Sequence, residues 1–188
     1  MTTEPIRDRK KLREMAAYWE MRGNLRNSAL IVLGASCAPR ISDLIRLKWT
    51  DVYDEGKGAF RSHVTITEKK TGKGRSIALS PGALRALRLR FKERRSEYVF
   101  DNNRKTPGHI GRVQAWRIVT AAARAAGVEG SIATNSLRKT FGYHAWTSGV
   151  SPVLIMDIYN HSSYEITRRY LGVSQDDRDK VYLEVSLF

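Results

Sequence analysis

The chain has 188 residues, of which 41% are hydrophobic and 28% are charged, and this supplies enough apolar material for a single domain over residues 1–188. Its formal net charge of +14 predicts a polyanionic partner, most simply nucleic acid. No apolar run is long enough to span a membrane, and the only cysteine, Cys37, excludes an internal disulfide and a zinc site of several cysteines.

The first fifty residues predict three helices. Apolar residues recur at helical spacing over residues 8–21, and the first residue of that range, an aspartate, can cap the helix. Residues 26–36 predict a second helix, which is more apolar and therefore more buried. Pro39 interrupts this pattern, and a short helix restarts over residues 42–47 with a serine as its cap. Arg40 is thus expected at the junction between two helices.

The middle of the chain predicts a β-hairpin. Residues 63–68 alternate and are rich in β-branched side chains, and residues 75–79 return after a turn that contains glycine. The lysines expected at the hairpin tip are Lys69, Lys70 and Lys73. Because a two-stranded hairpin is marginal alone, a third strand or a helix should support it. Residues 51–53, inside a turn-rich link, are the candidate for that third strand.

The rest of the chain predicts helices separated by polar loops. Residues 81–95 predict a helix with an apolar stripe on one side and a basic face on the other. The stripe is formed by Leu84, Leu87 and Phe91, and the basic face by Arg85, Arg88, Lys92 and Arg95. Further helices are expected over residues 112–126, 135–148 and 151–159, then helical turns through Tyr170, and a last helix from residue 174. The predicted fold class is mainly α (α+β), with a small antiparallel sheet.

Tyr170 stands beside Arg168 and Arg169. A tyrosine close to cations is a candidate nucleophile, because its phenol has a pKa of about 10 and needs help to ionise near neutral pH. Taken alone, such a residue is more often part of the packing, since tyrosines are commonly half buried. The interpretation therefore depends on whether the rest of the chain supplies partners for Tyr170.

Four further stretches carry such partners. One reads Ala-Pro-Arg-Ile-Ser-Asp-Leu around Arg40, and the hairpin tip carries Lys70 in a Lys-Thr-Gly setting. One predicted helix begins with the motif Asn-Ser-Leu-Arg, whose arginine is Arg138. The last stretch contains His161 and, after it, the motif Thr-Arg-Arg-Tyr, whose tyrosine is Tyr170. In residue type and order, these five positions resemble the catalytic domain of the tyrosine recombinase, or phage integrase, family. The resemblance covers nearly the whole chain, including the sequence Tyr-Leu-Gly-Val-Ser-Gln-Asp-Asp near its end.

The resemblance implies that Tyr170 attacks a DNA phosphodiester and forms a 3′-phosphotyrosyl link with a free 5′-hydroxyl. Arg40 and Arg138 would clamp the non-bridging oxygens bidentately, which a lysine cannot imitate. Electrostatic stabilisation of this kind often contributes more to catalysis than any other single effect. The tyrosine would therefore supply the covalent bond and the two arginines would stabilise the charge that builds up.

The resemblance also implies a proton donor and a hydrogen-bond donor. Lys70 on the hairpin is the candidate acid for the leaving 5′-oxygen, with Lys69 and Lys73 as alternatives. His161 would donate a hydrogen bond to the phosphate. The covalent step conserves bond energy, so no cofactor is expected, and the arginines would do what metal ions do in nucleases.

Two departures from the family pattern affect the expected activity. Asn135 stands where the family usually has histidine, and an amide can donate a hydrogen bond but cannot carry charge or shuttle a proton. We therefore expect slower chemistry, with Asn135 retained in the site. Only about 25 residues precede the second helix, so the DNA-gripping domain that usually precedes the catalytic one is not expected.

The expected partner is double-stranded DNA. Residues 1–150 carry 29 Lys+Arg against 13 Asp+Glu, whereas residues 151–188 carry 4 against 6, so the basic surface belongs to the earlier part. Candidate DNA contacts outside the active site are Lys69, Lys73, Arg85, Arg88, Lys92, Arg95, Arg104, Lys105, Arg112, Arg117 and Lys139. A charged start that does not resemble a secretory signal predicts a cytoplasmic protein, and the resemblance implies a nucleoid-associated one encoded by a bacterium or phage.

Two further questions stay open at this point. The apolar tail, residues 181–188, either docks on a neighbouring subunit of a DNA-bound dimer or tetramer or packs on its own domain. The function is either site-specific recombination or, as the main alternative, non-catalytic DNA binding by a regulator or accessory protein with this fold. A type IB topoisomerase shares the chemistry but not the integrase-like ending, and Tyr164 is the rival nucleophile.

Overall fold

The computed structural model describes residues 3–67, 72, 74–173 and 175–185. The predicted hairpin-tip lysines Lys69, Lys70 and Lys73 lie outside the described residues, as do the expected helix start at Ser174 and the end of the tail, residues 186–188. The helices are α1 (Arg9–Glu20), α2 (Leu25–Cys37), α3 (Ile41–Leu44), α4 (Trp49–Val52), α5 (Pro81–Phe91), α6 (Arg112–Ala125), α7 (Thr134–Thr147), α8 (Pro152–Tyr159), α9 (Tyr164–Leu171) and α10 (Gln175–Glu184). The strands are β1 (Tyr53–Asp54), β2 (Ala59–Phe60), β3 (His63–Thr67) and β4 (Gly74–Ala78).

This element order confirms the predicted fold class, because helices predominate and the strands form small antiparallel pairs. Side-chain caps explain several of the helix starts. Asp8 accepts hydrogen bonds from the backbone of the first turn of α1, Ser80 does so at α5, and Ser151 does so at α8. None of the helices within the described ranges is long and apolar enough to cross a membrane.

The hairpin is confirmed, but the predicted third strand is wrong. In the described chain β3 pairs only with β4, in a register that sets Ile66 opposite Arg75, while β1 pairs with β2 in a separate sheet. Residues 51–53 cannot extend along the hairpin, because the Asp51 carboxylate accepts from the Lys48 amide at 2.8 Å and starts the short helix α4. The hairpin is supported instead by its buried face, where Val64 and Ile66 enter the core.

Two predicted helix boundaries also need correction. The first residue of the short helix is not capped by Ser42: Arg40 occupies the cap position of α3, and the Ser42 hydroxyl lies 3.3 Å from the Asp43 carboxylate. The helix predicted over residues 81–95 ends at Phe91, so Lys92 is the C-cap of α5 and Arg95 lies in the irregular segment that follows. Both residues are nevertheless exposed, as a basic surface requires.

The core has two parts, and the smaller one positions the candidate site. The main cluster joins side chains of α1, α2, α5, α6 and the hairpin. The smaller cluster consists of Ala38, Ile155, Tyr159 and Leu171, which come from the end of α2, from α8 and from α9. Helix α7 contacts both α2 and α9. It therefore bridges the two parts and carries Arg138 to their boundary.

A buried ion pair ties the loop before α6 to the helices of the main core. The Asp101 carboxylate lies 3.0 Å from an Arg90 guanidinium nitrogen, and both side chains are almost fully buried. Arg26 of α2 donates to the Asp101 backbone oxygen at 2.7 Å. A buried carboxylate needs such partners, because burying a lone charge costs several kcal/mol, on the order of 3–5 when one partner is removed. Arg90 therefore has a structural role and does not belong to the basic surface of α5.

Candidate active site

Four of the predicted catalytic residues lie in the described part of the chain near one another. They are Arg40, Arg138, His161 and Tyr170, and they come from the start of α3, from α7, from the turn after α8 and from α9. Of the other two predicted catalytic residues, Lys70 lies outside the described residues, and Asn135 lies in the first turn of α7. Long-range packing of these helices thus gathers residues that are up to 130 positions apart in the chain.

Arg138 lies at the centre of this group. Its side chain is only 2% exposed, and it donates to the backbone oxygens of Ala38 and Tyr159, the latter at 2.8 Å. The guanidinium carbon lies 4.4 Å from the centre of the Tyr159 ring and 5.9 Å from that of Tyr170. Arg138 is therefore fixed by backbone acceptors and aromatic faces.

Positive charges surround Arg138. Burial, reinforced by the nearby charges of Arg75 and Arg40, lowers the pKa of Arg138 to about 10. This value is still far above 7, so the guanidinium stays charged at neutral pH. Three arginines gathered in this way repel one another, and a phosphate placed among them would relieve that repulsion. The electrostatics of the site therefore favour an anionic ligand.

Arg40 is placed by a sharp change in chain direction. Ala38 ends α2 in the left-handed conformation, with φ 51°, and Pro39 separates it from the cap of α3 at Arg40. The backbone oxygen of Ala38 accepts from both Arg138 and Arg75. A residue other than glycine seldom adopts this conformation, and it persists where the surroundings hold it. The two arginines therefore hold the turn that presents Arg40.

His161 is oriented by a buried threonine. Helix α8 ends at Asn160 in the left-handed conformation, with φ 52°, which asparagine tolerates better than most residues. The turn places the His161 ring 5.0 Å from the ring of Tyr159, centre to centre. His161 Nδ1 lies 3.0 Å from Thr167 Oγ1, and Thr167 is fully buried. If Thr167 donates to Nδ1, the neutral ring carries its proton on Nε2, where it can serve a phosphate.

Tyr170 is half buried beside these groups. Its ring centre lies 4.8 Å from that of His161 and 5.3 Å from that of Tyr159. Helix α9 ends at Gly172, whose backbone oxygen accepts from Arg7 at 2.9 Å, so the start of the chain helps to hold the helix that bears Tyr170. The rival, Tyr164, is the first residue of α9 and is 45% exposed. The geometry therefore favours Tyr170 as the nucleophile.

Lys139 needs a correction as a DNA contact. It is only 4% exposed, its ammonium donates to the Thr3 backbone oxygen at 2.5 Å, and that nitrogen lies 5.7 Å from the Tyr170 ring centre. Burial lowers the pKa of Lys139. Packing of residues 3–7 on α7 thus covers this lysine, which belongs to the surroundings of Tyr170 rather than to the exposed basic surface. Asn135, by contrast, is exposed in the first turn of α7.

Two residues of this site were not predicted from the sequence. Arg75 of β4 donates to the backbone oxygens of Ala38 and Ile158, and Tyr159 supplies the ring against which Arg138 and His161 pack. For Arg75 a sequence signal exists: in an alternating strand it shares a face with Ile77, and a cation on the inward face of a strand needs partners.

Eight of the predicted DNA contacts are exposed cations. The predicted contacts that the structure places on the surface are Arg85, Arg88, Lys92, Arg95, Arg104, Lys105, Arg112 and Arg117. Arg40 and Arg112 line one surface cleft of about 590 Å³ together with Arg46, which was not predicted as a DNA contact. Within the described ranges, no group of three or more His, Cys, Asp or Glu side chains could hold a metal ion.

A helical domain with two small antiparallel strand pairs, in which a tyrosine adjoins a histidine and clustered arginines, defines the catalytic-domain class of tyrosine recombinases. Residues 8–176 match the model of the Phage integrase family, and the chain belongs to that family. The "Probable integrase/recombinase YoeC" of Bacillus subtilis (strain 168) is 36% identical over 180 residues, which cover 95% of this chain and 94% of that protein.

Other relatives are longer than this chain. "Tyrosine recombinase XerD" of Mycobacterium leprae (strain TN) is 27% identical over 162 residues, covering 80% of this chain but 49% of XerD, so the match spans about half of that relative. Among solved structures, a XerA recombinase has a TM-score of 0.78 at 19% identity, covering 96% of this chain and 65% of that one. A XerH recombinase bound to its difH substrate has a TM-score of 0.77 at 17% identity, covering 97% and 53%. These structural likenesses establish the fold.

The hydrogen bond between Thr167 and His161 leads to a specific prediction. Thr167→Val keeps the shape of the buried side chain but removes the hydroxyl, so both neutral tautomers of His161 become accessible, and we expect DNA cleavage to slow by about tenfold. The ¹⁵N shifts of the His161 ring should change from one tautomer to a mixture, and Thr167→Ser should restore both readouts. An unchanged tautomer and a wild-type rate in the valine variant would show that the hydroxyl does not orient the histidine.

Proposed function

We propose that this protein is a site-specific DNA recombinase that cleaves and rejoins DNA through a 3′-phosphotyrosyl intermediate on Tyr170. The observation that carries the proposal is the position of the Tyr170 ring, which packs against His161 and lies 5.9 Å from the buried guanidinium of Arg138. The names of the relatives, which include integrases and tyrosine recombinases, support the same reaction class. Integration, excision and inversion of DNA all use this one chemical step.

In the proposed reaction the Tyr170 phenolic oxygen attacks the phosphorus, and the bond between phosphorus and the 5′-oxygen breaks. The phenol loses its proton to water, and the leaving 5′-oxygen takes up a proton, for which Lys70 is the proposed donor. One phosphate ester replaces another, so the bond energy is kept for rejoining. Arg40 and Arg138 stabilise the two non-bridging oxygens, and His161 donates a hydrogen bond to one of them. This chemistry uses side chains alone and needs no added cofactor.

Double-stranded DNA is the proposed substrate, held by the exposed cations around the site. The cleft that contains Arg40 and Arg112 continues the positive surface away from the active site. Each phosphate neutralised by a lysine or arginine releases counterions, so affinity should fall steeply with salt. Hairpin lysines Lys69 and Lys73 are proposed to add to this surface. Among the related structures, a transposon integrase is in complex with circular intermediate DNA, and a lambda integrase dimer is bound to a core site.

Self-association is proposed to use the tail. Four apolar side chains of the described tail are exposed, namely Val181 at 58%, Tyr182 at 81%, Leu183 at 82% and Val185 at 60%. Exposed apolar groups this close together mark an interaction site more often than free surface. On a DNA with two sites, we expect the wild type to assemble as a multimer and Leu183→Ser to bind as separate copies, a difference that native mass measurement detects.

The alternative is a regulator that binds DNA with this fold but does not cleave it. In both cases the chain is proposed to form a single domain of the catalytic type. Asn135 favours the regulator, because an exposed amide replaces the charged donor expected there.

The test that separates the two functions is to select bound DNA from a genomic fragment library and rebuild each bound site with a nick beside the candidate cleavage position. A short 5′-hydroxyl fragment then diffuses away, and a covalent adduct accumulates on a denaturing gel. An adduct that leaves a free 5′-hydroxyl supports the recombinase; tight binding without an adduct on these sites supports the regulator.

A further inference from the structure

Arg75 connects three parts of the candidate site. It lies on β4, half buried, on the strand face that also carries Ile77. Its Nη1 donates to the backbone oxygen of Ile158 in α8, and its Nη2 donates to the backbone oxygen of Ala38 at 3.3 Å. Ile158 lies three residues before His161, and Ala38 lies two residues before Arg40. One side chain therefore holds the chain segments that present both residues.

The acceptor at Ala38 is shared. Arg138 also donates to this oxygen, so a single carbonyl receives two guanidinium groups, one from the hairpin and one from α7. A carbonyl oxygen has two lone pairs and can satisfy both donors. Two donors aimed at one oxygen set the distance between the guanidinium groups and hold the left-handed turn at Ala38. Movement of Arg75 would thus displace both Arg40 and Arg138.

We infer that Arg75 is a positioning residue that fixes Arg40 and Arg138 in the geometry required to bind a phosphate bidentately. The inference deepens the proposed function and rests on it. A planar guanidinium can reach two carbonyl oxygens on different segments at once, whereas a lysine ammonium presents a point charge and holds its donors less rigidly. The position of Arg75 therefore demands an arginine for its shape and not only for its charge.

A purely structural role makes a different prediction. If Arg75 served only to stabilise the fold, its removal would lower the folded fraction and reduce every activity of the protein by the same factor. If it positions the arginine pair, its removal should harm most those substrates that depend on the pair. Replacing one non-bridging oxygen of the scissile phosphate by a methyl group removes the negative charge, and with it much of the need for a precise arginine clamp.

The experiment compares single-turnover adduct formation on a nicked phosphodiester and on both stereoisomers of the matching methylphosphonate. For Arg75→Gln we expect the rate on the phosphodiester to fall by about 10–100-fold, as for a small misplacement of catalytic groups. The rate on the better methylphosphonate isomer should fall several times less. Arg75→Lys, which keeps the charge, should show the same change in the ratio of the two rates. Arg138→Lys serves as the positive control and Arg13→Gln, an exposed arginine of α1, as the matched control for charge.

The ratio of the phosphodiester rate to the methylphosphonate rate decides the outcome, because partial unfolding lowers both rates equally and leaves this ratio unchanged. An unchanged ratio in Arg75→Gln, or a wild-type rate in Arg75→Lys, overturns the positioning role while leaving the recombinase proposal intact. If wild-type protein forms no adduct on any bound site, the proposed function itself fails, and the inference about Arg75 falls with it. A reduced ratio in both Arg75 variants supports the inference.

Discussion

Replacement of Tyr170 by phenylalanine is expected to abolish the covalent adduct with DNA while DNA affinity stays unchanged. The variant keeps the ring that packs on Tyr159 and His161 and removes only the phenolic oxygen that would bond to phosphorus. Loss of the nucleophile from a covalent enzyme costs at least about 10⁴-fold in rate. Adduct formation on nicked DNA, resolved on a denaturing gel, measures this loss, and a binding titration on intact DNA measures affinity.

The matched control is Tyr164→Phe, which makes the same chemical change in the same helix. Tyr164 is 45% exposed at the start of α9, so we expect adduct yields close to those of the wild type. Peptide mapping of a nuclease-trimmed adduct should place the nucleotide mass on the peptide that contains Tyr170. Loss of the adduct in Tyr164→Phe, or its persistence in Tyr170→Phe, would exclude the assignment of the nucleophile.

The sequence predicts the secondary structure well where local signals dominate. Helices α1 and α8 begin at or beside their predicted caps, Asp8 and Ser151, because capping depends on neighbouring atoms only. The hairpin is predicted by the alternating, β-branched residues of its strands and by the glycine in the turn between them. The third strand was wrong because Asp51 caps the amide of Lys48 and starts a helical turn, a local competition that β propensity alone does not reveal.

The arrangement of the site depends on distances that a sequence does not contain. Motif order named Arg40, Arg138, His161 and Tyr170, and folding brings them together, while their chemical roles remain predictions. Arg75 was missed because its acceptors lie 37 and 83 positions away in the chain. Similarly, Lys139 was placed on the surface because nothing in its own helix indicates that Thr3, 136 positions earlier, covers it. Local patterns identify donors, but only tertiary packing identifies their acceptors.

Arg138→Lys is expected to slow cleavage by about 10²–10³-fold, the cost of losing one well-placed donor to a developing negative charge. In the wild type, the Arg138 guanidinium donates to the backbone oxygens of Ala38 and Tyr159 and lies 5.9 Å from the Tyr170 ring centre. A lysine ammonium cannot make both backbone contacts and also bind two phosphate oxygens in one plane. The charge is retained, so a loss of this size would measure the geometry of the guanidinium rather than its electrostatic attraction.

The same substitution should also destabilise the fold, so its effect on the cleavage rate is measured separately from its effect on stability. A buried carbonyl left without its donor costs about 1–3 kcal/mol; loss of the Arg138 guanidinium would remove the donor to the Tyr159 oxygen, while the Ala38 oxygen still accepts from Arg75. We expect the free energy of unfolding in urea to fall by an amount in this range, while the protein remains folded enough to bind DNA. Rates are then compared at equal folded fraction, with Arg13→Lys, the same change at an exposed position of α1, as the matched control. A destabilised variant that cleaves at the wild-type rate per folded molecule would restrict Arg138 to a structural role, and the arginine clamp would then have to be sought at Arg40 and Arg75.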